Sequence, residues 1–415
     1  MTNSSFCNIS INMDLISLLP DFLTESLKNL ANYSAFINFG CYYLLLILCL
    51  SAICYYCYGV YAVIDFCSQP TTTASDFQPP ISVLKPICGL DIDTYENFKS
   101  FCLQDYPEYE IIFCVRDGND PCVAVVKQII ADFPNVDISL VISDRTIGTN
   151  LKVCNLANAV TQAKHPFLVL ADSDISVGSD YLQQVIQPMQ QESVGVVTCL
   201  YRPVVRGWVA ILEAVGIATE YHTGVLVARK LEGMKFALGP TIAIRKTVLE
   251  AIGGFTAIAD YLADDFQLGY LPTQIGYQVV LSEYIINHAI ATESLTDLIQ
   301  RQTRWNFCTR FSRPGGYLGL IFTQGTAVSL LFLLATGGSI WGLLVLLLTW
   351  GTRLILAWVM AVWCLQDPIT TKFLWLVPIR DLVSFLLWCY GLVGNTIEWR
   401  GRRLKLIPGG KLEVI

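Results

Sequence analysis

The sequence predicts an α/β domain on a mostly parallel sheet, held to a membrane by apolar helices before and after it. Three observations carry this reading. Of the 415 residues, 53% are hydrophobic and 15% charged, and the mean hydropathy is +0.51, too apolar for an ordinary soluble globule. The charges gather in one central block. Within it, short apolar runs alternate with stretches of helical spacing, the pattern of a parallel sheet with crossover helices. A formal net charge of −7, with no basic stripe beyond one short cluster, excludes electrostatic capture of nucleic acid.

Residues 1–40 read as a segment on the non-cytoplasmic side. They hold one basic residue, Lys28, against Asp14, Asp21 and Glu25, and basic residues favour the cytoplasmic side. Sequons at Asn3, Asn8 and Asn32 are meaningful only in a eukaryotic lumen. The run CYYLLLILCLSAICYYCYGVYAVIDF, residues 41–66, has no charge before Asp65, and about 20 such residues cross a bilayer. It lies too far along the chain, and lacks the basic flank, for a cleaved signal. A linker rich in Ser, Thr and Pro follows at 67–80.

In the domain, residues 81–294, the runs ISVLKPI, YEIIFCVRD, DISLVIS, PFLVLADSD and VGVVTCLY read as strands. TYENFKSFCLQ, CVAVVKQIIADF and DYLQQVIQPMQQ read as helices between them. Ligands of such sheets bind beyond the carboxyl ends of the strands, where Asp117, Asp172 and Asp174 fall. Residues 206–230 have helical spacing but carry Glu213, Glu220 and His222. A helix at the membrane interface that helps an acceptor lipid reach the site is favoured over a crossing; a helix packed on the sheet is the alternative. His222 is read as a polar-face or satisfied residue.

Residues 295–316 read as an interfacial helix. Residues 317–395 hold apolar segments at 318–334, 340–363 and 373–393, the last two interrupted by Arg353 and by Arg380–Asp381. Residues 396–415 read as a basic tail. The positive-inside tendency puts the domain in the cytoplasm, and three crossings after it would leave that tail outside. One of the three is therefore expected to be interfacial or re-entrant. Of the 15 cysteines, many, Cys54 and Cys57 included, lie in apolar runs and the rest show no CxxC pairing; they read as small hydrophobes in a reducing compartment. His165, His222 and His288 have no metal-ligand spacing, which argues against zinc.

Three acidic points stand out, Asp117, Asp172 with Asp174, and Asp264–Asp265. Asp172-Ser-Asp174 ends an apolar run, and two hard oxygen ligands so placed suit Mg2+ or Mn2+ bridging to a diphosphate; turn-forming or helix-capping acids are the plainer reading. Asp264–Asp265 offers a general base for transfer to a hydroxyl, or simply the acidic start of a helix. In LIQRQTRWNFCTRF, Arg301, Arg304 and Arg310 flank Trp305. Guanidinium forks suit diphosphate oxygens and an indole suits the wall of a sugar or lipid site; an interfacial helix with its cations on lipid headgroups fits as well.

Asp117, Asp172-x-Asp174, Asp265 and Arg301-x-x-Arg304-Trp305, in that order, resemble the D, D, D, (Q/R)xxRW pattern of inverting membrane glycosyltransferases with a GT-A fold. ISVLKPICGLD, DYPEYEIIFCVRDGNDP, GTNLKVCNLANA, VLEAIGGF and RRLKLIPGGKL resemble the ceramide glucosyltransferase family and its bacterial relatives, including those that act on hopanoids. The resemblance implies a Rossmann-like GT-A domain that moves a hexose from a UDP-sugar to the primary hydroxyl of a lipid. It implies Asp117 at the uridine, Asp172 and Asp174 at the metal and diphosphate, and Asp265 as base. Arg301, Arg304 and Trp305 would close over the diphosphate and the acceptor mouth. Lys85 and Lys152 are lesser candidates for donor phosphate contacts, against ordinary solvated lysines. A complete DxD, and a fifth strand followed by no family-type histidine segment, point to a bacterial-type relative. A different UDP-sugar such as UDP-GlcNAc on a hopanoid, a processive polysaccharide synthase and a non-catalytic scaffold are the other readings.

Overall fold

The computed structural model describes residues 21–69, 76–290, 294–399 and 401–415, with 21–39 as a helical path only. The sequons at Asn3 and Asn8, and the side chain of Asn32, lie outside the described residues.

A long helix α1 (Asp21–Cys67) leads into the domain. There follow β1 (Ile81–Pro86), α2 (Thr94–Cys102), β2 (Tyr109–Val115), α3 (Cys122–Asp132), β3 (Asp137–Ile142), α4 (Leu151–Ala159), β4 (Phe167–Ala171) and the short β5 (Ile175–Ser176). Then come α5 (Tyr181–Ile186), β6 (Val194–Val205), α6 (Trp208–Gly216), a π-helical turn (Ile217–Tyr221), α7 (His222–Glu232), β7 (Thr241–Arg245), α8 (Lys246–Ala251), α9 (Asp264–Gln274) and β8 (Gln278–Ile290). Among the described residues eight strands form one sheet in the order β3-β2-β1-β4-β7-β6-β8-β5.

The sheet is mixed, with four of its seven pairings parallel, β6 with β8 included. β3, β2, β1 and β4 run parallel, but β7 runs antiparallel to both β4 and β6, and β5 runs antiparallel to β8. The physical reason is that β6 leads to β7 through the α6–α7 excursion and returns from the opposite end, so no right-handed crossover is made. The consequence for function is that β5, carrying the end of the Asp172-Ser-Asp174 turn, lies against His288 of β8.

Helices cover both faces. On one face Phe98, Phe101, Phe113, Val169 and Tyr181 form a closed core. On the other, Leu84, Ile112, Leu168 and Ile244 share a single cluster with Tyr56, Val63 and Phe66 of α1. Each such side chain contributes about 1.5–3 kcal/mol over exposure. Domain and first helix are thus packed as one body.

After β8 come α10 (Leu295–Ser312), α11 (Pro314–Gly319), α12 (Gly325–Ala335), α13 (Ile340–Trp358), α14 (Pro368–Lys372) and α15 (Val377–Gly391). Among the described residues, Gly40–Cys67, Ile340–Cys364 and Leu374–Gly391 are long and apolar enough to cross a membrane; Pro314–Thr323 with Gly325–Ala335, bent by 54°, is a fourth candidate. α12 runs back along α1: a Cβ on Gly325 would stand 2.8 Å from Ala52 and from the Tyr56 hydroxyl, and the Phe332 and Tyr42 rings lie 5.0 Å apart. α13 returns, with Leu356 against Gly59. α15 instead packs on α6 and α10, Arg380 crossing Gly216 and Gly391 lying against Asn306.

The residues read as a basic tail fold into a second sheet, β11-β10-β9, of β9 (Thr396–Trp399), β10 (Arg402–Ile407) and β11 (Lys411–Val414). Its inward side chains Ile397, Leu404, Leu406 and Leu412 join Leu262 and Phe307.

Candidate active site

β4 ends at Ala171, and the next residues turn out of the sheet with the Asp172 amide donating to the Pro240 carbonyl at 3.1 Å. This places Asp172 and Asp174 at a strand's carboxyl end. Facing them, Asn150 caps α4 by accepting from the amides of Lys152 and Val153, so Lys152 stands in the first turn with its side chain crossing the cleft. Its Nζ lies 2.6 Å from Asp172 Oδ1, 3.8 Å from Asp264 Oδ2 and 3.5 Å from the Gly239 carbonyl. One ammonium therefore joins the two carboxylate clusters that the sequence kept 90 residues apart.

Asp264 and Asp265 do open α9, as the plainer reading had it. Asp264 is bound from the side by Asn150 Nδ2 at 3.3 Å. Asp265 accepts from the Phe266 amide at 2.7 Å through Oδ1, and its Oδ2 faces Gly239, where a Cβ would stand only 3.0 Å away. Burial, then the neighbouring Asp264 charge, raise the Asp265 carboxyl to about 6 despite the opposing Lys152. Burial likewise raises Asp172 to about 6. Burial disfavours the charge of Lys152, but Asp172, Asp264 and Asp265 outweigh it and hold the ammonium firmly protonated.

Asp174 differs. Burial would raise it, yet His288 and Lys152 bring it down to about 2. His288 Nε2 stands 3.2 Å from Asp174 Oδ2, and the imidazole is correspondingly held above its usual range against the cost of burial. Asp174 Oδ1 is buried without a hydrogen-bond partner. Among the described residues no group of three His, Cys, Asp or Glu is arranged to hold a metal ion. A divalent cation bound with a diphosphate needs only one or two carboxylates, the phosphates and water completing its shell. The open Oδ1 of Asp174 beside Asp172 fits that donor set.

The remaining sequence candidates are spread around this centre. Asp117 is exposed beyond β2 and accepts from the Asn119 amide at 2.9 Å. Lys85 is not the ordinary solvated lysine of the plainer reading: fully buried, it donates to the Asp172 carbonyl at 2.8 Å and lies 3.7 Å from the Phe101 ring centre, and burial lowers it to about 7. It props the Asp172 turn from behind and is not solvated. Arg301 Nε is 3.6 Å from the fully buried Glu213 Oε1. The Arg304 guanidinium sits 5.4 Å over the Trp399 ring. Trp305 stacks on Tyr221 at 6.3 Å.

The stretch 206–230 is a broken helix that packs on the domain and leaves Trp208 and Tyr221 exposed. Glu213, Thr219 and His222 are buried, and the π-turn turns Tyr221 to Trp305. His222 is not satisfied: neither ring nitrogen has a partner, the ring packs 4.5 Å from Tyr201, and burial lowers it to about 3. His288 escaped the sequence reading because only the β5–β8 register, Ile175 opposite His288, brings it to Asp174. Trp399 escaped it because its segment was read for charge alone.

An α/β sheet with this cleft, between apolar helices, defines a sugar-transferring enzyme of the GT-A type. The mannosyltransferase PcManGT from Pyrobaculum calidifontis, solved in complex with GDP-Man and Mn2+, has the same fold, with a TM-score of 0.54 at 15% identity over 85% of this chain and 96% of that one. The chain belongs to glycosyl transferase family 21, whose pattern matches residues 44–412. Among its relatives, ceramide glucosyltransferase 1 of Caenorhabditis elegans is 26% identical over 346 residues, 80% of this chain and 73% of the relative. Ceramide glucosyltransferase 3 of the same organism is 30% identical over 232 residues, 55% of this chain and half of the relative.

Proposed function

We propose that the protein transfers glucose from UDP-glucose to the primary hydroxyl of a membrane lipid such as ceramide, with inversion, at the cytoplasmic surface. The observation that carries this is Lys152 bridging Asp172 and Asp264, which sets a diphosphate-type carboxylate pair and a perturbed carboxylate base in one cleft. The Trp305–Tyr221 stack, on a π-turn held at Thr219 by Arg353 of the apolar helix α13, supports an acceptor that arrives from lipid, and the ceramide glucosyltransferase relatives support ceramide.

Asp265 takes the proton of the acceptor hydroxyl as its oxygen bonds to the anomeric carbon, and the bond to the UDP oxygen breaks with its electron pair left on the diphosphate. One displacement inverts the centre, so no nucleophilic side chain is required. Asp172 and Asp174 would hold Mg2+ or Mn2+, which when bound supplies positive charge to the diphosphate. Lys152 keeps both carboxylate clusters together between turnovers. Asp117 is assigned to the uridine, Arg301 and Arg304 to the diphosphate, and Trp305 to the acceptor mouth.

The test is mass spectrometry of lipids after incubation of the purified chain in mixed micelles with Mg2+ or Mn2+. UDP-glucose and UDP-GlcNAc are supplied separately, each with ceramide or a hopanoid. Hexosyl-ceramide from UDP-glucose is expected, reduced about 10²–10⁴-fold in Asp265→Asn, the usual contribution of a general base. A product only with the other sugar or lipid overturns the substrate assignment. A polymer would make the chain a synthase, and no product with any pairing overturns the enzyme reading.

A further inference from the structure

We infer that the second sheet, β9–β11, is a wall of the active site, and that Trp399 positions Arg304 for the donor; this rests on the sugar-transfer reading above. Three independent attachments lead from the sheet to the loops that carry the site.

The first is aromatic. Trp399 lies under the Arg304 guanidinium at 5.4 Å, and Phe307, one helical turn further along α10, is buried in the sheet's own core with Ile397, Leu404 and Leu406. A guanidinium on an indole face keeps its charge while losing rotational freedom, so Trp399 selects one orientation of Arg304.

The second attachment holds the Lys152 loop. Arg402 of β10 donates to the Thr149 carbonyl at 3.3 Å, and the Thr149 hydroxyl lies 3.4 Å from the Leu412 carbonyl. Thr149 precedes Asn150, the cap of α4 that also reaches Asp264. The third holds the entry to α9. The Leu412 amide donates to the Asp260 carbonyl at 2.7 Å and the Leu262 amide to the Gly410 carbonyl at 3.2 Å, with Lys411 bridged to Tyr261. The close approach uses a turn whose Gly409 and Gly410 have φ of +89° and +83°, conformations costly for other residues. One small sheet thus adds the element bearing Arg304 to the Lys152 and Asp265 elements, which Thr149 and Asn150 already join through Asp260, Tyr261 and Asp264.

The experiment is steady-state kinetics of the purified full chain in micelles, with KM for UDP-glucose, KM for the lipid, kcat and melting temperature measured together. Trp399→Leu is expected to raise the donor KM about tenfold, the scale of a partly desolvated cation–π contact, with the lipid KM unchanged. Trp399→Phe is expected to recover most of the loss. In the cycle with Arg304→Ala, the double variant is expected to be no worse than Arg304→Ala alone. Arg402→Gln, which leaves the packed core of the sheet intact, is expected to raise the donor KM as well. Additive losses, or donor and lipid KM moving together with a falling melting temperature in all these variants, would make the sheet a mere packing element and overturn the inference. Wild-type protein that neither binds UDP nor makes glycolipid would instead overturn the parent reading.

Discussion

At the residue scale, Lys152 and Asp265 set how the site responds to pH. In the proposed role of base, Asp265 must be ionised to accept a proton, and burial beside Asp264 raises it to about 6. Activity is therefore expected to be full above that value and to fall as pH drops through it, seen as the acid limb of kcat/KM against pH. Lys152 opposes the rise, so Lys152→Met is expected to move the same limb to higher pH and to raise the donor KM. An unmoved limb would mean that another group titrates. Both aspartate clusters were legible in the sequence because acids at the ends of apolar runs are costly unless used. Their union was not, since Lys152 looks in the sequence like any surface lysine. Nor was the burial of Lys85, whose partner is a backbone carbonyl. His288 shows the same limit, because a partner fixed by sheet register leaves no spacing to read.

Elements repeat this pattern at larger scale. Strands β1, β2, β3, β4 and β6 announce themselves as apolar runs, whereas β7 is short and β8 mixes polar residues through its length. The second sheet was legible in principle: in RRLKLIPGGKL, Leu404 and Leu406 alternate with Arg403 and Lys405 before a Pro-Gly-Gly turn, a hairpin signal masked by its charge. α15 meets α10 and the π-turn through a polar chain, in which Arg380 donates to Gln302 at 2.9 Å and to Ser384, which in turn reaches Glu220. A Cβ on Gly216 would stand 2.2 Å from Arg380 Nε. Gly216→Ala is thus expected to destabilise the protein by about 1–3 kcal/mol, the usual cost of overpacking, and to slow transfer by releasing Gln302 beside Arg301; a melting curve and kcat check it. Next to this chain, Arg353 pairs with Asp381 at 2.8 Å, both largely buried. Arg353→Leu is expected to cost about 3–5 kcal/mol and the Arg353→Leu, Asp381→Leu double change less, because the single change strands a buried charge; detergent-phase melting of the pair tests this.

For the whole molecule, the second sheet constrains the path of the apolar helices. Because it is docked on the domain, the chain between α10 and β9 crosses the bilayer an even number of times. α12 runs back along α1 to Tyr42 and α13 returns, and we propose these as the two crossings. α15, though apolar enough to cross, is then the interfacial member of the three segments. A tag inserted between Gly337 and Gly338 and another after Ile415 are expected on opposite faces of sealed vesicles, by protease protection; finding both on one face would overturn this path. The same docking has a consequence for biosynthesis. The residues that brace Arg304, Lys152 and the approach to Asp265 are translated after the α12–α13 hairpin has left the ribosome. The nascent domain therefore cannot complete this arrangement until both helices of the hairpin have been synthesised.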